Sequence, residues 1–403
     1  MEVIPILKAL RRNKVGALLI GLQIAFTLAI ACNCLSIIQQ YLADASRPSG
    51  IDEADIFTFS NQWVGKPPDL HARIEADLAA IRSLPGVVDA QVTNSFPLHG
   101  GGSGWGLSVK PDQKIPTSPT TIYYADDHGL ATLGMKLTAG RWFTADEIGE
   151  HGVHDLNFPA SVIVSDYLAR KLYPAGNALG QVVYWSPTAS SRIVGIVARA
   201  QTPWAAFGHI EDEQTTFMPY HFVNGGVFYV VHARPGQLHA VMSSVAEQLY
   251  TLSRQRVIDQ VQTFAETRNV AYSRQRSTAV LLGGLCLLLL GITVFGIIGL
   301  TMYWVGQRRR QIGMRRALGA RRFDVVRYFH IENLIIAGSG ALLGIVLGLT
   351  ANLWLVAHLE LPRMSIAFML VAAAVVLAVS QAAVFWPALR AASVPAAAAI
   401  RAL

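Results

Sequence analysis

Cysteine is scarce in this sequence. Only three occur, Cys32, Cys34 and Cys286, and each lies in an apolar run. The long polar region of residues 39–278 contains none, so no disulfide bond stabilises it and its stability must come from its own hydrophobic core. Cysteine content therefore does not identify the redox compartment.

Charged residues are also few. They make up 15% of the 403 residues, whereas hydrophobic residues make up 52%, which favours an integral membrane protein with a substantial water-exposed part. Residues 39–278 contain 18 Lys and Arg against 22 Asp and Glu, whereas the rest of the chain contains 15 against 4. The basic excess behind the net charge of +7 therefore lies entirely outside the central region.

The nucleotide-binding loop of ATPases is missing. The Walker pattern needs Gly-Lys followed by Ser or Thr, because the lysine contacts phosphate and the hydroxyl contacts magnesium. No lysine of this sequence is followed by Ser or Thr; the lysines are Lys8, Lys14, Lys66, Lys110, Lys114, Lys136 and Lys171. We expect this chain to bind no cofactor, and ATP and magnesium to be bound by a partner ATPase.

Signatures of catalytic and metal sites are equally sparse. The run GGSGW at 101–105 lacks the final glycine of a G-x-S-x-G nucleophile elbow, so we interpret it, with nearby His99, as a flexible connection. His151, His154 and Asp155 form an HxxHD cluster, but a metal site needs more ligands in fixed geometry, and a polar surface loop is the simpler interpretation. We predict a non-catalytic chain with no metal site, with a membrane-tethered ectoenzyme as an alternative.

Four apolar runs have the length of a membrane-spanning helix, which needs about 20 residues. They are residues 15–38, 279–305, 333–357 and 366–386. The fold class predicted is therefore an α-helical membrane protein with four transmembrane helices and a large α+β extracytoplasmic domain inserted between the first and second. The basic-then-apolar start also resembles a signal peptide, but the apolar run continues to Ile38, so we expect a retained anchor.

Orientation follows from the basic residues that flank these runs. They precede the first run and lie between the second and third, and the positive-inside rule puts both places in the cytoplasm. The predicted divisions are a cytoplasmic N-terminus at 1–14, a periplasmic domain with a helical stalk at 39–278, a cytoplasmic coupling segment at 306–332, a short outer loop at 358–365 and a cytoplasmic tail at 387–403.

The central region has the pattern of a folded α+β domain. Runs of β-branched residues predict strands at 56–59, 161–164, 192–197 and 226–231. Apolar residues at helical spacing predict helices at 69–83 and 237–250. The segment 100–120, rich in Gly, Ser and Pro, is predicted to be a mobile loop or an inserted hairpin. From residue 254 onward the pattern predicts one continuous helix that runs into the second span as a stalk.

The third span carries a ridge of small residues. Gly340, Gly344 and Gly348 recur at four-residue spacing, which lets another helix approach closely. That helix belongs either to the same subunit or to a second permease copy, and the sequence does not choose between them. The apolar runs contain few polar residues, so a charged ion pathway is not expected.

The segment QRRRQIGMRRALGARR, residues 307–322, carries seven arginines and no acid. It is predicted to form a short helix that ends at Gly319, since glycine adopts the left-handed cap conformation, and Met314, Ala317 and Leu318 form an apolar patch on it. Anionic lipid would attract the arginines but would not require the ordered IGMRRALGA core. No aromatic platform or reading helix accompanies the charges, so nucleic-acid binding is not expected.

At these residues the chain resembles the FtsX-like permeases of ABC transporters, of the macrolide-exporter type. The resemblance is carried by QRRRQIGMRRALGA followed by RRFDVVRYFHIENLI, and it extends to the first span and to the tail WPALRAASVPAAAAIRAL. The stretches LPGVVDA, LGMKLTAGRWFT, VIVSDYLARKLYPAGNALGQ, RIVGIVA and TTFMPY resemble the periplasmic core domain of that family.

The resemblance implies a permease of the bacterial inner membrane that works as a homodimer or heterodimer with two cytoplasmic ATPase subunits. It also allows a periplasmic adaptor and an outer-membrane channel. The segment implied to contact the ATPase comprises Arg309, Arg310, Gln311, Ile312, Gly313, Met314, Arg315, Arg316, Leu318 and Gly319. The family often has Glu where this chain has Gln311, so an ion pair made by that carboxylate is not expected here.

The macrolide exporter itself carries its ATPase ahead of the first span, whereas about 14 residues precede that span here, so a separately encoded ATPase is expected. Two related functions remain open beside export: regulation of an envelope enzyme, and release of lipoproteins. A sensor that needs no ATPase is an alternative of another class.

Overall fold

The computed structural model describes residues 14–65, 67–152, 155–207, 213–359 and 363–393. They fall into two compact units. The helical unit contains the described residues up to Leu42 and from Arg276 onward, and the inserted domain is Ala43–Gln275.

The described residues form ten α-helices. In chain order they are α1 Lys14–Ala45, α2 Leu70–Arg82, α3 Gly129–Leu133, α4 Asp166–Leu172, α5 Leu238–Leu252, α6 Phe264–Ala271, α7 Ser273–Gln307, α8 Arg309–Ala317, α9 Arg322–Leu359 and α10 Ile366–Ala392.

Twelve β-strands are present in the same residues, all in the inserted domain. They are β1 Ile56–Trp63, β2 Val87–Thr93, β3 Ser103–Leu107, β4 Ser118–Ala125, β5 Leu137–Gly140, β6 Gly149–His151, β7 Ser161–Ser165, β8 Val182–Tyr184, β9 Ser190–Val197, β10 Thr215–Phe222, β11 Gly226–Ala233 and β12 Arg256–Thr263.

Four of the helices, α1, α7, α9 and α10, are long and apolar enough to cross a membrane. Each contains one of the four predicted runs and extends beyond it. The longest extensions are at the start of α9, which begins at Arg322, and at the end of α1, which continues to Ala45. Helix α10 also continues, past Pro387 to Ala392. Helix α10 continues there because Ala388, Ala391 and Ala392 stay buried in the same core as the rest of the helix.

Buried polar side chains join these helices. The hydroxyls of Thr27 and Thr293 lie 2.9 Å apart, which links α1 to α7. Asn33 donates to the carbonyl of Gly348 at 3.3 Å, and Asn333 donates to the carbonyl of Ser380 at 3.2 Å. Within a membrane-spanning helix, such a hydrogen bond determines which face of one helix packs against the next, because an unpaired polar group in hydrocarbon is costly.

The glycine ridge of α9 packs against α1. A Cβ atom on Gly340 would lie 2.6 Å from the carbonyl oxygen of Gly21, and one on Gly344 would lie 2.9 Å from that of Ala25. A Cβ on Gly348 would meet Met369 at 2.6 Å. The ridge is therefore used within the chain. At Gly340 and Gly344 the backbone of α1 approaches too closely for a side chain, and at Gly348 the space is taken by the Met369 side chain of α10.

The inserted domain is built on two sheets, as an α+β domain. The smaller sheet has the order β12-β1-β11-β2 and is antiparallel throughout. The larger sheet has the order β3-β4-β10-β7-β9-β5, with β6 added beside β10 and β8 beside β9. It is mixed, because β4 and β6 both run parallel to β10, and β7 runs parallel to β9. Side chains from both sheets and from α2, α4 and α5 share one hydrophobic core.

All four predicted strands of this domain are confirmed, as parts of β1, β7, β9 and β11. Both predicted helices are confirmed as α2 and α5, with ends that differ by one or two residues. Within the segment 100–120, β3 pairs antiparallel with β4, which is the inserted hairpin rather than the mobile loop.

The predicted continuous stalk is wrong between residues 256 and 263. This stretch forms β12, at the edge of the smaller sheet beside β1. Arg256 fixes it there: the guanidinium donates to Asp77 at 2.7 Å, with 1% and 0% of the two side chains exposed, and lies 4.0 Å from the Trp63 ring centroid. A buried charge requires its partner, so this long-range pair outweighs the local helical pattern.

Helix formation resumes only after β12. Thr263 and Glu266 form a capping box at the start of α6, in which the backbone N–H of Thr263 donates to the Glu266 carboxylate at 2.8 Å. Helix α6 ends at Ala271, and α7 begins two residues later at Ser273.

Candidate functional site

The arginine-rich segment forms the short, well-defined helix α8. Its end is closed by a pair of backbone hydrogen bonds, from Ala320 N–H to Arg315 O at 3.1 Å and from Gly319 N–H to Arg316 O at 3.2 Å. Gly319 has φ +98°, the left-handed conformation that this Schellman arrangement needs and that other residues adopt at a cost. The helix predicted to end at Gly319 is therefore confirmed.

Helix α8 is held by α9 and α10. Ile312 is 7% exposed and belongs to the same buried cluster as Val325 and Phe329 of α9 and Ala391 of α10. On the next turn, Arg316 donates to the carbonyl of Ala392 at 3.0 Å. Because that carbonyl is at the C-terminal end of α10, the arginine charge also faces the negative end of the helix dipole.

A buried ion pair fixes the start of α8. Arg308, the residue before the helix, donates from Nη1 to both carboxylate oxygens of Glu332 in α9, at 3.0 and 2.9 Å. The two side chains are 14% and 2% exposed. The Arg308 guanidinium also lies 3.4 Å from the Tyr328 hydroxyl. A charge-assisted contact of this geometry restricts both the position and the direction of the helix that follows it.

The opposite side of α8 is exposed. We call it the arginine surface: Arg309, Arg310, Gln311, Met314, Arg315 and Leu318. Leu318 is 89% exposed and Met314 49%, so apolar side chains stand among the arginines. Arg309 and Arg310 make no ion pair with any residue that the structure describes. A positive surface with apolar side chains fits an acidic groove that has an apolar floor.

The ten residues implied to contact an ATPase divide into two groups. Six form the arginine surface, and Gly319 is exposed beside it. Ile312 and Gly313 are buried, and Arg316 is half-buried against Ala392. These last three face α9 and α10 and hold the helix in position.

Sequence reasoning missed the residues that anchor α8. In the sequence, Arg308 is one of seven arginines in a run, and Glu332 lies 24 residues further on with no local pattern that links the two. Their pairing was indicated by one signal, since Glu332 is the single acid within the apolar part of α9 and such a group needs a cation nearby.

A second set of contacts closes the base of the inserted domain. Arg268 of α6 donates to Glu53 at 2.8 Å and to the carbonyl of Ala45 at 2.9 Å. Ser49 also donates to Glu53, at 2.6 Å. Burial raises the pKa of Glu53, but the hydrogen bonds from Arg268 and Ser49 outweigh that effect and hold the pKa below its usual value. The chain therefore enters and leaves this domain at one clamped point.

The positions of the candidate catalytic residues do not support the alternative of an ectoenzyme. His99 lies 3.0 Å from the carbonyl of Gly101 and packs on Phe228, and no hydrogen bond joins it to Ser103 within the described part of the chain. His151 is buried between Tyr124 and Tyr220, and this burial lowers its pKa. His154, the other histidine of the HxxHD cluster, lies outside the described residues.

Four apolar helices, an α+β domain inserted between the first two, and a basic helix anchored between the second and third define a multi-pass membrane protein of the permease type. Two family profiles match the chain: "MacB-like periplasmic core domain" over residues 22–272 and "FtsX-like permease C-terminal" over residues 283–396. The chain belongs to the family of FtsX-like permeases with a MacB-like periplasmic core domain.

Relatives carry the name "Macrolide export ATP-binding/permease protein MacB". The one from Agrobacterium fabrum is 25% identical over 234 residues, which is 54% of this chain and 33% of the relative. The one from Shewanella sp. strain W3-18-1 is 24% identical over 322 residues, which is 77% of this chain and 45% of the relative. The chain thus spans less than half the length of these relatives.

Among solved structures, the chain is similar to the periplasmic region of MacB from Actinobacillus actinomycetemcomitans. The identity is 17% and the TM-score 0.34, with 54% of this chain and 94% of that chain covered.

Proposed function

We propose that this chain is the permease subunit of an ABC-type exporter or mechanotransmission complex. A separate cytoplasmic ATPase binds ATP and magnesium, and its motion is passed through α8 to the spans and on to the inserted domain. The observation that carries the proposal is the arginine surface: a basic and apolar surface on a helix that is fixed from its other side.

The anchors of α8 support a mechanical role. A displacement applied to the arginine surface is transmitted only if the helix moves with its neighbours instead of sliding over them. The Arg308–Glu332 pair, the buried Ile312 and the bond from Arg316 to Ala392 hold it at three points along its length. Packed cores and buried ion pairs have discrete arrangements, so such a joint moves as a unit.

The positive-inside rule supports the orientation that the proposal needs. With the arginines of α8 in the cytoplasm, the alternation of four spans puts the N-terminal segment there as well and the inserted domain in the periplasm. The clamp of Arg268 on Glu53 and Ala45 then lies where both connections of the inserted domain meet, so movement of the spans reaches the domain through one base.

The complex proposed contains two ATPase subunits and a second permease copy, identical or different. The glycine ridge is occupied by α1 in the chain itself, so the second copy uses another face of the spans. A periplasmic adaptor, an outer-membrane channel and anionic lipid are compatible further partners. Regulation of an envelope enzyme and lipoprotein release use the same coupling, and the molecule that binds the inserted domain distinguishes them from export.

The test is co-purification from native membranes. The full chain is isolated in detergent, the bound ABC ATPase is identified by mass spectrometry, and its ATP hydrolysis is measured. We expect Arg309→Glu with Arg310→Glu to reduce the amount of bound ATPase at least about tenfold, since placing like charges against an acidic groove costs several kcal/mol and about 1.4 kcal/mol corresponds to tenfold.

The matched control is Lys110→Glu with Lys114→Glu. It makes the same change in net charge on exposed residues of the inserted domain, and it should leave the bound ATPase unchanged. The proposal fails if no ABC ATPase accompanies the wild-type chain, or if the two double variants retain equal amounts. Equal retention would assign the arginines to lipid contact.

A further inference from the structure

A cluster of metal-ligating side chains lies in the inserted domain and shares no residue with the arginine surface. His71 and Glu75 are one helical turn apart on α2, and His221 is on β10. One ligand atom from each can be chosen so that all three lie within 4.8 Å of one another. Two imidazoles and a carboxylate are the donor set of open zinc sites and of other divalent transition-metal sites.

Two of the three ligand atoms make no hydrogen bond in the part of the chain that the structure describes. His71 Nδ1 and Glu75 Oε1 are shielded from solvent, and neither makes a hydrogen bond within the described residues. Glu75 Oε1 lies 2.8 Å from His221 Nδ1, but the contact lacks hydrogen-bond geometry. Polar atoms that are buried in this way are costly unless something satisfies them. A cation placed among the three residues satisfies all of them at once.

The second nitrogen of His221 is held by a buried carboxylate. Nε2 of His221 lies 3.5 Å from Asp126 Oδ2, and Asp126 is fully buried and is fixed in turn by Arg82 at 3.0 Å. When Nε2 carries the proton that faces Asp126, Nδ1 presents its lone pair towards Glu75. A carboxylate behind the ligating histidine is the arrangement that orients the ring in metal sites and raises its basicity as a ligand.

A fourth donor is in register. Glu150 on β6 stands opposite His221 on β10 in the parallel ladder, and its Oε1 lies 3.4 Å from His71 Nδ1. Strand β6 thus brings an additional carboxylate to the open side of the cluster. The predicted HxxHD cluster begins at the very next residue, but His151 faces the other side of the strand, into the Tyr124 and Tyr220 rings.

We propose that His71, Glu75 and His221 bind a divalent transition-metal ion, best matched by Zn²⁺, with Glu150 or water in the fourth position. Tetrahedral zinc at about 2.0–2.1 Å from each ligand brings the ligand atoms to about 3.4 Å from one another. The His71 and Glu75 side chains are 44% and 42% exposed, so they have room to close on the ion. The two imidazoles disfavour Mg²⁺ and Ca²⁺, which take oxygen ligands.

The bound ion joins the two sheets of the domain. Helix α2 packs on the smaller sheet through Ile74 and Leu78, whereas β10 and β6 belong to the larger sheet. An ion held by both sides binds the folded domain and not the unfolded chain, so it raises the stability of the domain by mass action. This inference concerns a structural site and stands whether or not the proposed coupling to an ATPase is correct.

The test uses the full chain in detergent, purified without a polyhistidine tag and treated with EDTA. Zn²⁺ is titrated by calorimetry, and Co²⁺ is added in a parallel sample as a spectroscopic probe. We expect one ion per chain, visible Co²⁺ absorption of the four-coordinate type, and a higher unfolding temperature with Zn²⁺. Removing a residue that hydrogen-bonds to a metal ligand typically weakens metal binding about 10- to 100-fold. Removing a ligand itself, in His71→Ala or Glu75→Gln, should therefore weaken Zn²⁺ binding by at least as much.

Two matched controls lie on α5. His239→Ala and Glu247→Gln remove the same chemical groups from exposed positions and should leave Zn²⁺ binding and the Zn²⁺-dependent rise in unfolding temperature unchanged. His221→Ala is not the deciding variant, because it also removes a contact to the buried Asp126. The proposal is overturned if the wild-type chain binds no Zn²⁺, or if His71→Ala and Glu75→Gln bind it as tightly as the controls.

Discussion

Arg308 and Glu332 form a buried ion pair whose closest N–O distance is 2.9 Å. Arg308 ends the connection from α7, and Glu332 lies three turns inside α9, so the pair ties the start of the arginine-rich helix to the interior of a span. Neither residue belongs to the arginine surface. The segment therefore has two distinct sides: the anchor is buried, and the arginine surface is exposed.

Breaking this pair should loosen α8 without altering the arginine surface. Glu332→Gln keeps the side-chain size but leaves the Arg308 charge buried without compensation, a change that costs about 3–5 kcal/mol at buried pairs. We expect faster amide hydrogen exchange across α8 and weaker stimulation of ATP hydrolysis by the permease. Exchange is measured on the detergent-solubilised full chain by mass spectrometry.

The control replaces both partners, as Arg308→Met with Glu332→Met. Apolar residues of similar size leave no uncompensated charge, and such replacements are often neutral. Slow exchange should then return in α8. If Glu332→Gln exchanges no faster than wild type, the pair does not anchor the helix.

The glycine ridge gives a test of which helix it contacts. Gly340→Ala places a methyl group 2.6 Å from the carbonyl oxygen of Gly21, so overpacking should destabilise the helical unit by about 1–3 kcal/mol. Gly338→Ala is the matched control two residues earlier, where a Cβ atom meets nothing within 4 Å. We expect it to be neutral or to stabilise α9, since alanine is the better helix former by up to about 1 kcal/mol. Thermal unfolding in detergent measures both.

The same pair of variants decides between the two interpretations of the ridge. Contact within the chain predicts that Gly340→Ala lowers the unfolding temperature while leaving the oligomeric state unchanged. A ridge that served the second permease copy would give the opposite pattern, with normal stability and a loss of dimer by light scattering.

The contacts of Arg268 should stabilise the two segments through which the chain enters and leaves the inserted domain. Arg268→Ala removes the contacts to Glu53 and to the Ala45 carbonyl. Hydrogen bonds to charged groups contribute about 1.5–3 kcal/mol each, so exchange of the amides at 45–53 and 264–271 should rise. Arg254→Ala, an exposed arginine of the same domain, should not change them. If the two variants showed equal amide exchange, the Arg268 contacts would not stabilise these two segments.

The Arg141–Glu147 pair predicts a pH dependence of the inserted domain. The Arg141 guanidinium donates to Glu147, and this hydrogen bond lowers the Glu147 pKa to about 2 in the folded chain. In the unfolded chain a Glu titrates near about 4.3. The folded pKa is the lower one, so the stabilisation is fully present above about 4.3 and is lost as the pH falls towards 2.

Glu147→Gln should therefore lower the unfolding temperature at neutral pH, and the difference from wild type should shrink as the pH falls through this window. Glu247→Gln on the exposed surface of α5 is the control and should show no such convergence. A difference that stays constant from neutral to acidic pH would mean that Glu147 stabilises the fold without its charge.

The sequence predicted well those features whose signal is local. Hydropathy predicted the positions of all four spans, because the length of an apolar helix depends on consecutive residues. The arginine run and Gly319 predicted α8 and its end, because the conformation of a helix end depends on the residues beside it. Alternating β-branched residues located β1, β7, β9 and β11 for the same reason. In the candidate site, the arginines could be identified from the sequence, because their charge and their position between two spans are both visible there.

Features that depend on distant partners were missed. Arg256 pairs with Asp77 across 179 residues, and without that pair the stretch 256–263 has a helical pattern. Arg308 meets Glu332 only once α7 and α9 are side by side. The cluster of His71, Glu75 and His221 is not evident from the sequence. The two residues of α2 are separated from His221 by most of the domain, and only the packing of α2 against the sheets brings them together.

The most direct test of the central claim is site-specific photo-crosslinking at Leu318, which is 89% exposed on the arginine surface. A photoreactive residue is placed there in the full chain, and in a second variant at Ile115, which is 80% exposed in the inserted domain. The account predicts an adduct with an ABC ATPase from residue 318 and none from residue 115. The absence of an ATPase adduct at residue 318, or equal adducts at both positions, would contradict it.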